Sequence, residues 1–133
     1  MTLTLRVLLE NHLASGADDR LRNRAGLSLL LEDKTTSILF DTGPDDSFYH
    51  NAALMGVSLD NLTATVLSHG HYDHCGGVPC LPDNSRIICH PTIGQERFAA
   101  VNVAGRSHII KKLSLDIDYT RHHMEYTRTP LPI

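Results

Sequence analysis

The chain has no tryptophan and little aromatic content, with three phenylalanines and four tyrosines. Cysteine is sparse and odd in number: Cys75, Cys80 and Cys89. Such a set argues against a disulfide framework, and with no CxxC pair a zinc ribbon is also excluded. Charge of one sign never accumulates; the net charge is −3 and charged residues make up 20% of the chain. This excludes a nucleic-acid footprint and a basic membrane-binding face. Long hydrophobic runs are absent, and the richest, Leu27–Leu31, is far too short to span a bilayer. The first residues, "MTLTLRVLLEN", lack the basic and apolar regions of a signal peptide, so a cytoplasmic location is expected. No glycine-rich phosphate loop of either common pattern is present, and no serine or cysteine sits in a nucleophile elbow.

Histidine is what the chain has in excess. Five of its nine histidines fall in two clusters, His69, His71 and His74, and His122 with His123. The 133 residues suffice for one domain with one core.

Residues 3–11 have β-type composition and read as a strand, followed by a polar loop to residue 26. The short apolar runs 27–33 and 36–43 read as a hairpin, the second ending in the turn-rich "DTGPDD". Residues 46–56 read as a helix capped by Asp45 or Asp46 and stopped by Gly56, with Phe48, Ala52 and Met55 on one face. A strand is expected over 62–68, another over 86–90, a helix over 91–101 starting at Pro91, and one or two strands over 108–120. The tail "RTPLPI" does not read as a finished element. Strands first and then strand–helix units predict an α/β layered protein with a mixed sheet.

The strand at 62–68 runs straight into "SHGHYDHCGG", residues 68–77. Sites in α/β proteins gather beyond the carboxyl ends of strands. In extended backbone, positions 69, 71 and 73 point one way, and His74 breaks the alternation toward a second centre. Imidazoles and a carboxylate suit Zn²⁺, with Fe²⁺ or Mn²⁺ as competitors. Two ligand groups in one loop suggest one or two ions, a pair lying roughly 3.5–4 Å apart and activating a water between them. Asp73 is the residue placed to hold an ion and to orient that water.

"ILFDTG" (38–43) followed by "VLSHGHYDHCGG" (66–77) resembles the metallo-β-lactamase superfamily. More narrowly, the stretch from residue 3 to residue 91 looks like the branch of metal-dependent hydrolases named after a dihydropterin–ribofuranosylaminobenzene phosphate synthase. The resemblance implies an α/β (α+β) protein in which two sheets are sandwiched between helices (αββα), with two similar halves each supplying ligands. By it, His69 and His71 hold a first metal and Asp73 and His74 a second. Asp41 braces the loop by hydrogen bonds.

Members of that family are usually much longer, and only 59 residues follow His74 here. Residues 1–133 therefore read as a single, truncated domain, about half of the sandwich. His122, His123 and His90 are the candidates for further ligands; the His122–His123 pair reads first as two exposed residues. Arg24 and Ala25 stand where the branch usually has an acid and a histidine. Cys75, Cys80 and Cys89 read as small core residues, and Asp116 and Asp118 as exposed acids on a strand. Tyr72 packs or contacts substrate; the sequence leaves this open.

The function implied is hydrolysis by a metal-bound hydroxide of an ester, phosphoester or amide-like bond in a small-molecule substrate. The alternative is a catalytically inactive metal-binding or assembly module. "LSLLL" and "SILF" carry too many apolar residues for one-sided burial. A partner is therefore expected on the second face, either a homodimer mate or a separate chain supplying the other half.

Overall fold

The computed structural model describes residues 2–129. Its centre is a six-stranded mixed sheet. The strands are β1 (Thr4–Leu9), β2 (Ser28–Glu32), β3 (Ser37–Phe40), β4 (Ala64–Val66), β5 (Arg86–Cys89) and β8 (His123–Tyr126), adjacent in that order. β1, β2 and β3 form an antiparallel meander, and β3, β4, β5 and β8 run parallel. The remaining strands, β6 (Phe98–Val103) and β7 (Arg106–Lys112), pair only with each other. The helices are α1 (Ser47–Leu54) and a single turn, α2 (Tyr72–Cys75).

Pairing fixes which residues share a face. Leu30, Leu39, Thr65 and Ile87 are in-register neighbours across four strands, and all are fully buried. They pack with Phe48 and Ala52 of α1 and with Leu59, Val78 and Leu81 from the connecting loops. Full burial of each aliphatic side chain in this row is worth about 1.5–3 kcal/mol, whereas the Thr65 hydroxyl is buried without a partner among the described residues.

The opposite face is different. Leu5, Leu31 and Ile38 are in register, as are Val7, Leu29, Phe40 and Val66. Within the described residues this apolar face is only partly covered: Leu5 remains 57% exposed and Val7 51%. Both faces of β2 and β3 are apolar, as expected of strands meant for two-sided burial.

The expected hairpin, the strands at β1, β4 and β5, and the first helix are found where the sequence places them. The Asp45 side chain accepts from the Ser47 N–H at 2.8 Å, and Gly56 adopts φ +71° beyond the helix end. Met55 is exposed, however, and Asn51 takes the inward place beside Ala52, its amide donating to the Leu8 and Arg22 carbonyls.

Two expectations fail, and one strand is unforeseen. The helix over 91–101 is a short 3₁₀ turn, Pro91–Gly94, followed by β6. The two-residue connection to β7 is Ala104-Gly105 with φ +53° and +76°, the backbone of a type I′ turn. Extended pairing with β7 replaces the local helix, and the usual Asn-Gly signal is missing. Of the one or two strands expected over 108–120, one forms, and it runs from Arg106 to Lys112. Finally, β8 has no counterpart in the sequence reading, because "HMEY" has one apolar side chain turned to the core and is held instead by Arg86, whose guanidinium makes two bonds to Glu125. The tail reading falls mostly on residues 130–133, outside the described residues.

Leu39→Ala is expected to destabilise the protein by about 2–5 kcal/mol in urea unfolding, the cost of a cavity in a closed core. A loss below about 1 kcal/mol would mean that this row is not the closed core described.

Candidate metal centre

β3 and β4 are parallel neighbours, so both release the chain at the same edge of the sheet. The segment after β3, Asp41-Thr42-Gly43, therefore meets the histidine loop that follows β4. Thr42 N–H donates to the His74 carbonyl at 2.8 Å, and Gly77 N–H donates to Thr42 Oγ1 and to the Gly43 carbonyl. The contact is too close for a side chain: a Cβ at Gly77 would overlap the Phe48 ring and the Thr42 and Asp45 carbonyls.

Asp41 is fully buried and sits at φ +57°, a backbone setting that costs a non-glycine residue about 1 kcal/mol or more. Its carboxylate has three donors. Ser68 N–H reaches Oδ1 at 2.8 Å, while Ser68 Oγ and His74 Nδ1 reach Oδ2 at 2.6 and 2.7 Å. Because a carboxylate only accepts, the Ser68 hydroxyl proton and the His74 Nδ1 proton both point at Asp41. Ser68 Oγ then has no proton for its second neighbour, His69 Nδ1 at 2.8 Å, which must donate to it. One buried carboxylate thus sets two imidazoles in the same tautomer, leaving each Nε2 with a free lone pair.

His69 belongs to a convergent group with His71 and Asp73. One ligand atom each of His69, His71 and Asp73 lies within 4.8 Å of the other two. The His69 ring centroid is 4.5 Å from that of His71 and 4.3 Å from that of His74. His74 Nε2 lies 3.8 Å from Asp73 Oδ2, so Asp73 is near both the histidine pair and His74. The alternation expected over 69, 71 and 73 ends at His71. There the chain turns from extended to helical, and Asp73 and His74 project from α2. The His71 carbonyl secures this turn, accepting from His74 N, Cys75 N and Cys75 Sγ.

Burial, and then the neighbouring His74 and His71 imidazoles, hold the pKa of His69 below the usual histidine range. Neutral imidazoles and one carboxylate form a donor set that fits a divalent ion of the Zn²⁺, Fe²⁺ or Mn²⁺ type.

The other candidates lie outside the convergent group. His123 pairs with Arg86 at the first residue of β5, the edge of the parallel sheet away from the histidine loop. His122 precedes it and is buried rather than exposed, with both ring nitrogens lacking partners among the described residues. His90 follows β5 at the same edge as the loop, but is exposed and uses Nδ1 to accept from Thr92 N–H. Cys75 and Cys89 are buried, burial pushing the Cys89 thiol up to about 11, whereas Cys80 is exposed and not a core residue. Ser68 is the functional residue that sequence reasoning misses. Its place directly before the histidines is the one signal that marks it.

The family model of the metallo-beta-lactamase superfamily matches residues 21–88. An uncharacterized protein of Methanocaldococcus jannaschii is 29% identical over 101 residues, 69% of this chain and 40% of that one. An octanoyltransferase of Porphyromonas gingivalis is 39% identical over 74 residues, 55% of this chain but 13% of that one. The fold is similar to a solved metal-dependent hydrolase of the beta-lactamase superfamily, with a TM-score of 0.71 at 22% identity, covering 96% of this chain and 43% of that one. The chain thus spans less than half the length of these relatives.

Asp41→Asn keeps the shape of the side chain but turns an amide toward at least one of the three donors. Zinc affinity, measured by competition with a chromogenic chelator, is expected to fall about 10–100-fold. Unchanged affinity would remove Asp41 from the ligand-orienting role.

Proposed function

The chain belongs to the metallo-beta-lactamase superfamily, and from that premise we propose that its histidine loop is the metal-holding part of a metal-dependent hydrolase. The convergence of His69, His71 and Asp73 within 4.8 Å carries this reading. Zinc is the ion we assign, from the imidazole-rich donor set. His69 and His71 hold one ion; Asp73 and His74 hold a second. A bound ion supplies Lewis acidity toward a substrate oxygen and acidifies a water at near-neutral pH.

The chain's own residues do the rest. The Asp41 network keeps the His69 and His74 Nε2 lone pairs aimed outward, so no proton has to be displaced from them on loading. The lowered pKa of His69 keeps that ring neutral further into acid than an ordinary histidine. Asp73 is the catalytic residue of this reading: its carboxylate oxygen orients the attacking water and takes its proton. No side-chain nucleophile is required. The substrate is a small molecule carrying an ester, phosphoester or amide-like bond.

A second reading is favoured by a different observation, the incompletely covered apolar face on which Leu5 and Val7 are exposed beside the half-buried Leu29 and Leu31. In it the chain holds metal and serves as an assembly module without turnover. Both readings place a second polypeptide on that face, either another copy or a separately encoded chain, because an apolar patch of this kind left in water promotes association.

Two outcomes are expected from native mass spectrometry of the zinc-loaded chain. Asp73→Ala loses one of two ions, and full occupancy in that variant would overturn the assignment of Asp73. Leu5→Glu shifts an assembled species to monomer, and an unchanged mass distribution would show that this face is not the interface. Hydrolysis of chromogenic esters by the assembled, zinc-loaded wild type, abolished by chelation, separates the enzyme from the silent module.

A further inference from the structure

Beside the ligand loop stands a group that the hydrolase reading does not use. β6 and β7 form a hairpin that extends away from the main sheet, and every residue of β7 is exposed. Only its base is fastened. Tyr72 N–H donates to the Leu113 carbonyl at 2.6 Å, and Arg97 N–H donates to Ser114 Oγ at 2.9 Å. This fastening sets Lys111, two residues before Leu113, over Tyr72, which lies between the ligands His71 and Asp73. The Lys111 ammonium is 2.7 Å from the Tyr72 hydroxyl and 4.2 Å from the ring centroid.

Hydrogen-bond polarity decides what such a pair offers. An ammonium only donates, so the Tyr72 oxygen accepts from Lys111 and its own proton is free to be donated elsewhere. Lys111 keeps two further N–H donors. Its charge is not cancelled: among the described residues no carboxylate lies within 4.0 Å of it, whereas the adjacent Lys112 pairs with Glu96 and Asp116. The cation over the ring face also limits the ammonium's swing. The result is a half-anchored positive charge with an O–H and two N–H donors, held on the residue that lies between His71 and Asp73 in sequence.

We propose that Lys111 and Tyr72 form an oxyanion-recognition pair at the rim of the metal centre and that the substrate carries a phosphate or carboxylate group there. The proposal rests on the hydrolase reading of the loop for its meaning as a substrate site. The pair takes the anionic group outside the reacting bond: Lys111 supplies the charge and Tyr72 the directional hydrogen bond. They are positioning residues, and the His69, His71 and Asp73 group is left to the bond that breaks.

The test uses the full chain with labelled tyrosine rings, freed of metal by chelation, so that binding at Lys111 is read apart from binding to an ion. The four tyrosines are assigned by single substitution, Tyr72→Phe identifying the signal of interest. Inorganic phosphate, acetate and neutral trimethyl phosphate are titrated in turn. A saturable shift of the Tyr72 ring signal is expected with phosphate or acetate and not with trimethyl phosphate. The tighter of the two anions assigns the substrate class. Lys111→Ala weakens that binding by about tenfold or more, as expected for loss of a charge-assisted bond, while Lys111→Arg retains most of it. No saturable shift in the wild type, or Lys111→Ala binding as tightly as wild type, would overturn the proposal. Zinc titration of the same samples separates the two claims. Anion binding that depends on Lys111 in a chain that takes no zinc sinks the hydrolase reading alone; zinc binding without anion recognition sinks this one alone.

Discussion

The buried carboxylate of Asp41 is the point on which the site depends. A charge taken out of water is tolerated only where hydrogen bonds replace its hydration. Asp41 has three donors within 2.8 Å, and all come from the loop it must hold: Ser68 N–H, Ser68 Oγ and His74 Nδ1. The desolvation cost of the carboxylate is thereby coupled to the placement of the histidines. If the loop drifts, the acid loses partners. If the acid is absent, two imidazoles lose their tautomer. The left-handed backbone at Asp41 belongs to the same arrangement, since it turns the side chain back from the end of β3 toward the end of β4.

That coupling works only because the sheet is parallel at this point. β3, β4 and β5 all end at one edge, so Asp41, the histidine loop and His90 arrive side by side without a long connection. The meander of β1 and β2 extends the sheet and supplies Leu30 to the closed core row. Its outer face carries no metal-type ligand and is apolar. The fold therefore separates two tasks: the edge of the sheet collects polar ligands, and the bare face offers hydrophobic area.

Most of this is legible in the sequence. Hydrophobic runs bounded by turn residues locate β1 to β5, and the run of histidines and an aspartate directly after a strand locates the site. Asp41 is legible only through resemblance, because nothing in a lone "FDTG" states that its aspartate will face Ser68 and His74. What fails does so for physical reasons. Residues 98–103 contain two alanines and an asparagine, weak strand formers, and their extended state comes from pairing with β7 rather than from their own preference. β8 forms by pairing with β5 and is braced by an ion pair between Arg86 and Glu125, 39 positions apart in sequence, which no local pattern reveals. His122 reads as surface because histidine usually is; the turn Tyr119–Arg121 tucks it under instead.

The hairpin shows how a site acquires a component that its motif does not encode. Lys111 and Tyr72 are 39 positions apart in sequence, and no spacing rule relates them. Lys111 is brought to the loop by the bonds at the hairpin base, among them that of Tyr72 N–H to the Leu113 carbonyl just beyond β7. Ligand placement draws on the buried Asp41 network, whereas Lys111 placement draws on a few bonds at the base of an exposed hairpin. The first is held by the core and the second is not, so they have different tolerances to change. The ligand set cannot vary without disturbing the packing beneath it. The hairpin can change length, charge and apolar content while leaving the core untouched. On the proposed reading, recognition carried on the hairpin is separable from metal holding, because the arm can be altered while the bracing carboxylate and the loop it holds stay unchanged.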